Sequence, residues 1–514
     1  MEALPCARDA LIGPSQTRGV LLVYTGGTLG SLPRDPHDPL SPLVPVALER
    51  VLELLPFYNS AARTLPLGGT AVRLDSVAWP IPVDSANITR EDWRKLAAVV
   101  DEHRDEYAGF VILHGTDTLA YTASALAFML DELDRPVVLT GAQRPIGQPR
   151  SDAVQNLITS IEVAAASALG GIVVPEVCVF FRDRLFRGCR VTKVSATGFN
   201  AFETPNMSPL ATAGDRIEVD ERLIRRPPRV TSRAASHMSS RSLRFEERIA
   251  CVTIFPGMNA KMLDEMLNAE GLRGIVLQTF GNGNCPSTPD FLDAVGRAVD
   301  AGRLVVDVTQ CRAGEVDLGP YPGSLGLLAR GVIPGMDMTP EAALAKLSLV
   351  LGSESDPLLA ADRMQLNLRG EQRQSIFHLH FGAGEVDPGK YTTLRPVRSM
   401  TDGRERYRAP TLERAMLRVL GVSVTGQAAA SVGLRVWLDL PDPTVEASSE
   451  DPRFLGRVAT TWHTEEGKAS LLLDVTEHAR ELIDPRRPST ITLLAEDGAP
   501  VAWRRLELAL YAHC

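Results

Sequence analysis

The chain has 514 residues, 44% of them hydrophobic and 23% charged, which is ordinary for folded protein and enough for about two to four domains. A net charge of −9 offers no basic face for neutralising phosphates and argues against nucleic acid as the main partner. No apolar run approaches the ~20 residues that span a bilayer, and residues 1–20 carry Glu2, Arg8, Asp9 and Arg18 in place of an apolar leader core, so a cytoplasmic protein without membrane attachment is expected. From Gly19 to about Pro205, candidate strands at 20–25, 72–78, 109–113, 136–140, 171–174 and 177–181 alternate with helical stretches. Thr89-Arg-Glu-Asp92 reads as a variant capping box opening a helix through about His103, and 118–133 and 152–167 have the length and spacing of further helices. This is the pattern of a mostly parallel sheet covered on both faces, the larger, N-terminal α/β domain at 19–205.

Residues 206–247, with Arg225-Arg-Pro-Pro-Arg229 and the polar run from Ser236 to Arg241, lose that rhythm and read as a linker. A smaller α/β domain follows at 248–368, with strands at 249–255, 274–279 and 303–308 and helices at 260–269, 289–301 and 340–351. Residues 369–421 read as a connector carrying a short helix from Thr411 to Leu420. The texture then changes to short, partly alternating strands at 434–440, 469–475, 489–494 and 502–511, an accessory antiparallel β-sandwich spanning 422–514. The seven cysteines, Cys6, Cys178, Cys189, Cys251, Cys285, Cys311 and Cys514, contain no CxxC pair, so reduced, mostly buried thiols are expected.

Two threonine-rich turns stand out. Val20-Leu-Leu-Val-Tyr24 runs into Thr25-Gly26-Gly27-Thr28, and Phe110-Val-Ile-Leu113 runs into His114-Gly115-Thr116-Asp117-Thr118. Each is a short apolar strand followed at once by a glycine turn that brings hydroxyls and backbone N–H groups to a strand end. In an open α/β sheet ligands bind at the carboxyl ends of strands, so two such turns from neighbouring strands can face one pocket. A threonine nucleophile also needs a base and an oxyanion site. Thr28 and Thr116 are the candidate hydroxyls, Asp117 the adjacent carboxylate, and Lys193 a candidate base once buried beside Asp117.

These residues resemble the L-asparaginases of the bacterial-type fold, with the cytoplasmic type I branch the nearest in pattern. The likeness spans roughly residues 19–370. It rests on TGGT at 25–28, HGTDT at 114–118, and Phe186-Arg-Gly-Cys-Arg-Val-Thr-Lys-Val194 with Gly198-Phe-Asn-Ala-Phe202. Leu139-Thr-Gly-Ala-Gln-Arg-Pro145, Ser151-Asp152, Thr309-Gln-Cys311, Asp337-Met-Thr339 and Leu366-Asn-Leu-Arg-Gly370 add to it. The resemblance implies hydrolysis of L-asparagine to L-aspartate and ammonia, with no metal or organic cofactor. It implies Thr28 as nucleophile forming a β-acyl ester, and Thr116, Asp117 and Lys193 as a second triad. Backbone N–H groups near Thr28 and Thr116, on the Gly27 and Gly115 turns, would hold the oxyanion. Ser85 would grip the substrate α-carboxylate, with Ala86 beside it in the substrate loop, and Asp117 would face the α-ammonium. A homodimer or homotetramer is implied, since family members place the site near a subunit contact.

Two departures bear on this reading. Residues 29–57 contain no tyrosine, whereas many members carry one on a lid shortly beyond the first motif. Ala86 and Asn87 stand where serine and an acidic or amide residue are typical, which removes a hydroxyl from the substrate loop. Two rivals are the amidase subunit of a tRNA-dependent amidotransferase and a binding or scaffold protein with a degraded site. The few residues before Thr25 disfavour the first, which usually carries a β-barrel there. Other motifs read as structural: His114 as a hydrogen-bonding residue at a strand end, Gly281-Asn-Gly-Asn284 as a tight turn. His378 and His380 alternate on a strand but form a lone pair without a third metal ligand. No Gly-x-Ser-x-Gly elbow occurs.

Overall fold

The computed structural model describes residues 19–35, 41–225, 244–397, 411–424, 432–440, 448–460, 469–482, 489–496 and 500–513. They fall into two compact units, the first built from residues up to Glu246 with Met338–Ser353 and Leu368–Glu371, the second from the remainder. No helix among the described residues is long and apolar enough to cross a membrane.

The first unit is organised by a nine-stranded sheet. Its centre is five parallel strands in the order Val177–Phe181, Val137–Thr140, Gly109–Leu113, Val20–Tyr24 and Thr70–Ala78. Antiparallel edges are Arg184–Arg187, Ala211–Ala213 and Ile217–Val219 on one side and Thr64–Leu67 on the other. Because side chains alternate along a strand, Leu21, Val23, Phe110 and Ile112 enter one hydrophobic cluster and Val20, Leu22, Val111 and Leu113 the other. Both faces are covered, as the continuous apolar runs predict. Helix Leu119–Met129 lies in the first cluster and helix Ala153–Ala164 in the second.

Helix Pro340–Ser353 falls in the stretch assigned by sequence to the second α/β domain, yet Ala345 and Leu349 pack in the core of the first unit. It is buried on most of its sides, with Glu341, Lys346 and Ser348 covered along with its apolar residues. Lys346 on this helix and Glu371 form an ion pair at 2.6 Å with both side chains fully buried. The run at 171–174 is not a strand: it follows Gly170, which ends the preceding helix at φ 72°, and stops at Pro175, which has no N–H for a ladder. Of the expected linker, 206–225 supplies the edge strands Ala211–Ala213 and Ile217–Val219, while 226–243 lies outside the described residues.

In the second unit, strands Ile249–Thr253, Gly274–Thr279, Leu304–Thr309 and Ile333–Pro334 form a parallel sheet in chain order. Helices Ala260–Leu267 and Pro289–Asp300 match the expected positions; Pro322–Ala329 and Pro357–Gln365 were not read from the sequence. Two four-stranded antiparallel sheets follow. One orders Gln374–Val386, Val501–His513, Thr411–Val424 and Ala469–Asp474; the other orders Tyr391–Leu394, Ile491–Ala495, Val432–Leu438 and Phe454–Thr460. Their inner faces share a core that includes Leu417, Val436, Leu493 and Leu508. The expected helix at Thr411–Leu420 is therefore a strand. Leu, Glu, Arg, Ala and Met favour helix locally, but the segment pairs on both sides, with Val501–His513 and Ala469–Asp474, and Ala415, Leu417 and Val419 alternate into the core. Three of the eight strands, Gln374–Val386, Tyr391–Leu394 and Thr411–Val424, start within the stretch read as a connector.

Candidate active site

The two threonine turns leave adjacent parallel strands at the centre of the large sheet, where Tyr24 stands opposite Leu113. Thr25 binds across the gap twice: its N–H donates to the Leu113 carbonyl at 3.1 Å and its hydroxyl to the same oxygen at 3.0 Å. Val83 N–H donates to the Thr25 carbonyl at 2.7 Å, drawing in a third loop. The glycines are needed for this approach. Gly26 and Gly27 have φ of 126° and 90°. A Cβ on Gly26 would lie 2.5 Å from Val83 O, one on Gly27 2.5 Å from Gly115 N, and one on Gly115 2.6 Å from Ser85 Oγ. The backbone of 25–28 thus meets those of 83–87 and 114–118 directly, and the missing Cβ of Gly115 makes room for the Ser85 side chain.

On this platform Thr28 opens a single 3-10 turn, Thr28–Gly30, and is half-buried. Beneath it the buried Tyr24 hydroxyl donates to Gly30 O at 3.1 Å, and burial pushes that phenol up to about 12. Ser85, buried, begins the turn Ser85–Asn87, whose Asp84 side chain accepts from Ala86 N–H at 3.0 Å. The Ser85 carbonyl accepts from the Thr118 hydroxyl at 2.7 Å. Ala86 is exposed on the same turn.

Lys193 joins the second motif from a different part of the chain. Its ammonium Nζ lies 2.8 Å from Thr116 Oγ1 and 2.7 Å from Asp117 Oδ1. The lysine side chain is only 17% exposed while Asp117 is 67% exposed, so the amine is shielded and the carboxylate opens toward solvent. The Thr28 side chain makes no hydrogen bond to Thr116, Asp117 or Lys193; it shares the platform with them through the Gly27–Gly115 contact.

Of the residues that support the site, Glu341 carries no sequence signal of its own, whereas Gln143, Asp152 and Gly198 lie in stretches that carry the resemblance. Thr116 donates to Gln143 Oε1 at 3.3 Å; Gln143 in turn donates to Gly198 O at 3.1 Å, and its backbone N–H is held by Asp152. Lys193 sits on a two-residue strand paired to Phe202–Glu203. Its neighbour Thr192 donates to Glu341 Oε1 at 2.7 Å. Burial raises the Glu341 carboxyl above its ordinary value against the hydrogen bonds it receives from Thr192 and Thr339. His114 is fully buried, and desolvation pushes it down to about 4, so it is neutral at physiological pH. Its partners set the tautomer: Nδ1–H faces Gly115 O at 2.7 Å, and Nε2 accepts from Thr122 Oγ1 at 3.0 Å, which accepts from Trp93 Nε1–H. It is a fixed prop for the Gly115 turn.

The comparisons with known proteins agree with the motifs. Residues 19–225 match the family model "Asparaginase, N-terminal", and 248–362 match "Glutaminase/Asparaginase C-terminal domain". The chain is 38% identical over 360 residues to L-asparaginase 1 of Escherichia coli (strain K12), covering 69% of this chain and 98% of that one. It is 38% identical over 374 residues to the 60 kDa lysophospholipase of Homo sapiens, covering 70% of this chain and 62% of that protein. Among solved structures, L-asparaginase I from Vibrio cholerae matches with a TM-score of 0.59 at 35% identity, covering 70% of this chain and 99% of that one.

Proposed function

The chain belongs to the asparaginase family of amidohydrolases, and from that premise we propose that it cleaves the side-chain amide of L-asparagine through a threonine ester. Thr28 Oγ1 attacks the amide carbon, the C–N bond breaks, and ammonia leaves with the proton delivered from the triad. Water then attacks the β-acyl ester, returning the proton to Thr28 and releasing L-aspartate. Backbone N–H groups on the Gly27 and Gly115 turns stabilise the oxyanion in both steps. Ser85 takes the α-carboxylate, and Asp117, open to solvent, takes the α-ammonium.

The observation that carries this reading is Lys193 Nζ within 2.8 Å of Thr116 and 2.7 Å of Asp117. In the arrangement seen, Lys193 donates to Thr116, whose own proton points to Gln143. Uncharged, the amine reverses its role and accepts from Thr116, and a hydroxyl or water relays the proton. Tyr24 is not a substitute for the lid tyrosine of other members, because its hydroxyl is buried against Gly30 O; residues 36–40 lie outside the described residues. The scaffold alternative predicts no turnover. We further propose a cytoplasmic homo-oligomer, at least a dimer.

Ammonia release from L-asparagine by the purified full chain tests the reading. Thr28→Ala is expected to abolish turnover, and Lys193→Met to lower kcat by roughly 10²–10⁴-fold. Hydroxylamine added to the reaction should divert the acyl ester to the hydroxamate. No turnover in the parent, or full activity in Thr28→Ala, overturns it.

A further inference from the structure

His378 and His380 lacked a third ligand in the sequence; helix Pro357–Gln365 of the second unit supplies one by placing Asp362 over them. One ligand atom from each of the three lies within 4.8 Å of the others. The histidines alternate on strand Gln374–Val386, and His380 pairs with Glu507 on Val501–His513. Their rings stack with centroids 5.5 Å apart and planes 16° from parallel. Asp362 Oδ1 lies 3.4 Å from His378 Nδ1 and 3.0 Å from His380 Nε2. The remaining nitrogens face Glu507, at 4.0 Å for His378 Nε2 and 3.7 Å for His380 Nδ1. Each ring therefore has one nitrogen toward Asp362 and the other toward a second carboxylate.

We propose that Asp362, His378 Nδ1 and His380 Nε2 bind one borderline divalent transition-metal ion, zinc(II) foremost, with Glu507 holding the two rings from behind. Four-coordinate zinc with bonds of about 2.0–2.2 Å needs ligand atoms about 3.3–3.5 Å apart, and the two Asp362 edges already sit near that spacing. Two imidazoles and a carboxylate are a donor set that such ions prefer over magnesium or calcium. Metal-bound histidines characteristically donate their other N–H to a carboxylate, which is the position Glu507 occupies. Glu507 is itself fixed by Arg418 at 3.1 Å and Arg505 at 3.2 Å. Arg418 Nη1 also lies 3.5 Å from His378 Nε2; with the ion on Nδ1, the Nε2 proton turns to Glu507 instead. Side-chain exposures of 13% for Asp362 and 14% for His380, against 2% for His378, leave an entry for the ion and a water in the fourth position. The ion would tie the helix just after the parallel sheet to the β-sandwich.

Chelator-stripped full-length protein titrated with zinc(II) and with cobalt(II) tests this. The expected result is one ion per chain, a four-coordinate cobalt d–d spectrum without a thiolate band, and a higher Tm with zinc. Stoichiometric binding and the Tm rise are lost in Asp362→Asn and His380→Gln, while ammonia release from L-asparagine is unchanged by stripping. Failure of the parent to hold one ion, a thiolate band pointing to the cysteines, or binding that survives Asp362→Asn overturns the site. The parent titration decides the matter even where a variant misfolds.

Discussion

Lys193 depends on a residue it does not share its task with. Thr192, next to it, is tied to the buried Glu341. Removing that anchor frees the short strand to shift, and a misplacement of about 1 Å can cost up to about 10²-fold in rate. Glu341→Ala is therefore expected to lower kcat more than it raises KM, whereas Glu341→Gln keeps the Thr192 bond and most of the rate. Equal kinetics for the two variants would count against a positioning role. A second buried carboxyl sets a pH dependence of stability. Asp307 is fully buried with only Thr279 Oγ1 donating to Oδ1, and desolvation pushes it up to about 8. Unfolded, it titrates near about 3.9. Between these values the folded chain holds the extra proton, so this group's stabilisation is complete at low pH and is lost as pH rises to about 8. Calorimetry from pH 5 to 8 should show Asp307→Asn losing less stability over that range than the parent.

At the scale of elements, the local signals that held are those whose partners lie within a few residues. The Thr89–Asp92 box is formed as read: Thr89 Oγ1 accepts from Asp92 N–H, and Asp92 Oδ2 accepts from Thr89 N–H at 2.9 Å. Thr89→Ala is expected to cost about 0.5–2 kcal/mol in chemical denaturation; no change would mean that helix Arg90–His103 is held by packing alone. The strand at Thr411–Val424 shows the opposite case. Its helix-favouring composition is a local property, and its pairing to Val501–His513 joins residues nearly a hundred positions apart, which no window along the chain contains. The same holds for Pro357–Gln365, where the contact that matters, Asp362 with two histidines, comes from the next element.

At the scale of the molecule, the β-sandwich is not a freely hung appendage of the second unit. Leu420 and Leu472, on two of its strands, pack into the core of the parallel-sheet part, and Met336 joins Ile376, Met416 and Tyr511 in a further cluster. Each large apolar side chain so covered contributes about 1.5–3 kcal/mol. A chain ending at residue 373 is expected to aggregate or to melt several degrees lower, read by light scattering and calorimetry. A soluble truncation with the parent Tm would show the sandwich to be independent.

The sequence by itself determined the alternation of buried strands and helices, the two glycine–threonine turns and the order of the parallel strands' motifs, because each is written in contiguous residues through side-chain period and turn chemistry. It also carried the family. The resemblance implied that Lys193 joins Thr116 and Asp117, and the tertiary structure gives that contact its distances. Only the tertiary structure decided that Gln143 and Glu341 support them, that helix Pro340–Ser353 packs in the first unit, and that Asp362 completes a triad with His378 and His380. Those contacts are set by how sheets and helices stack, and stacking brings together residues whose separation along the chain carries no pattern to read.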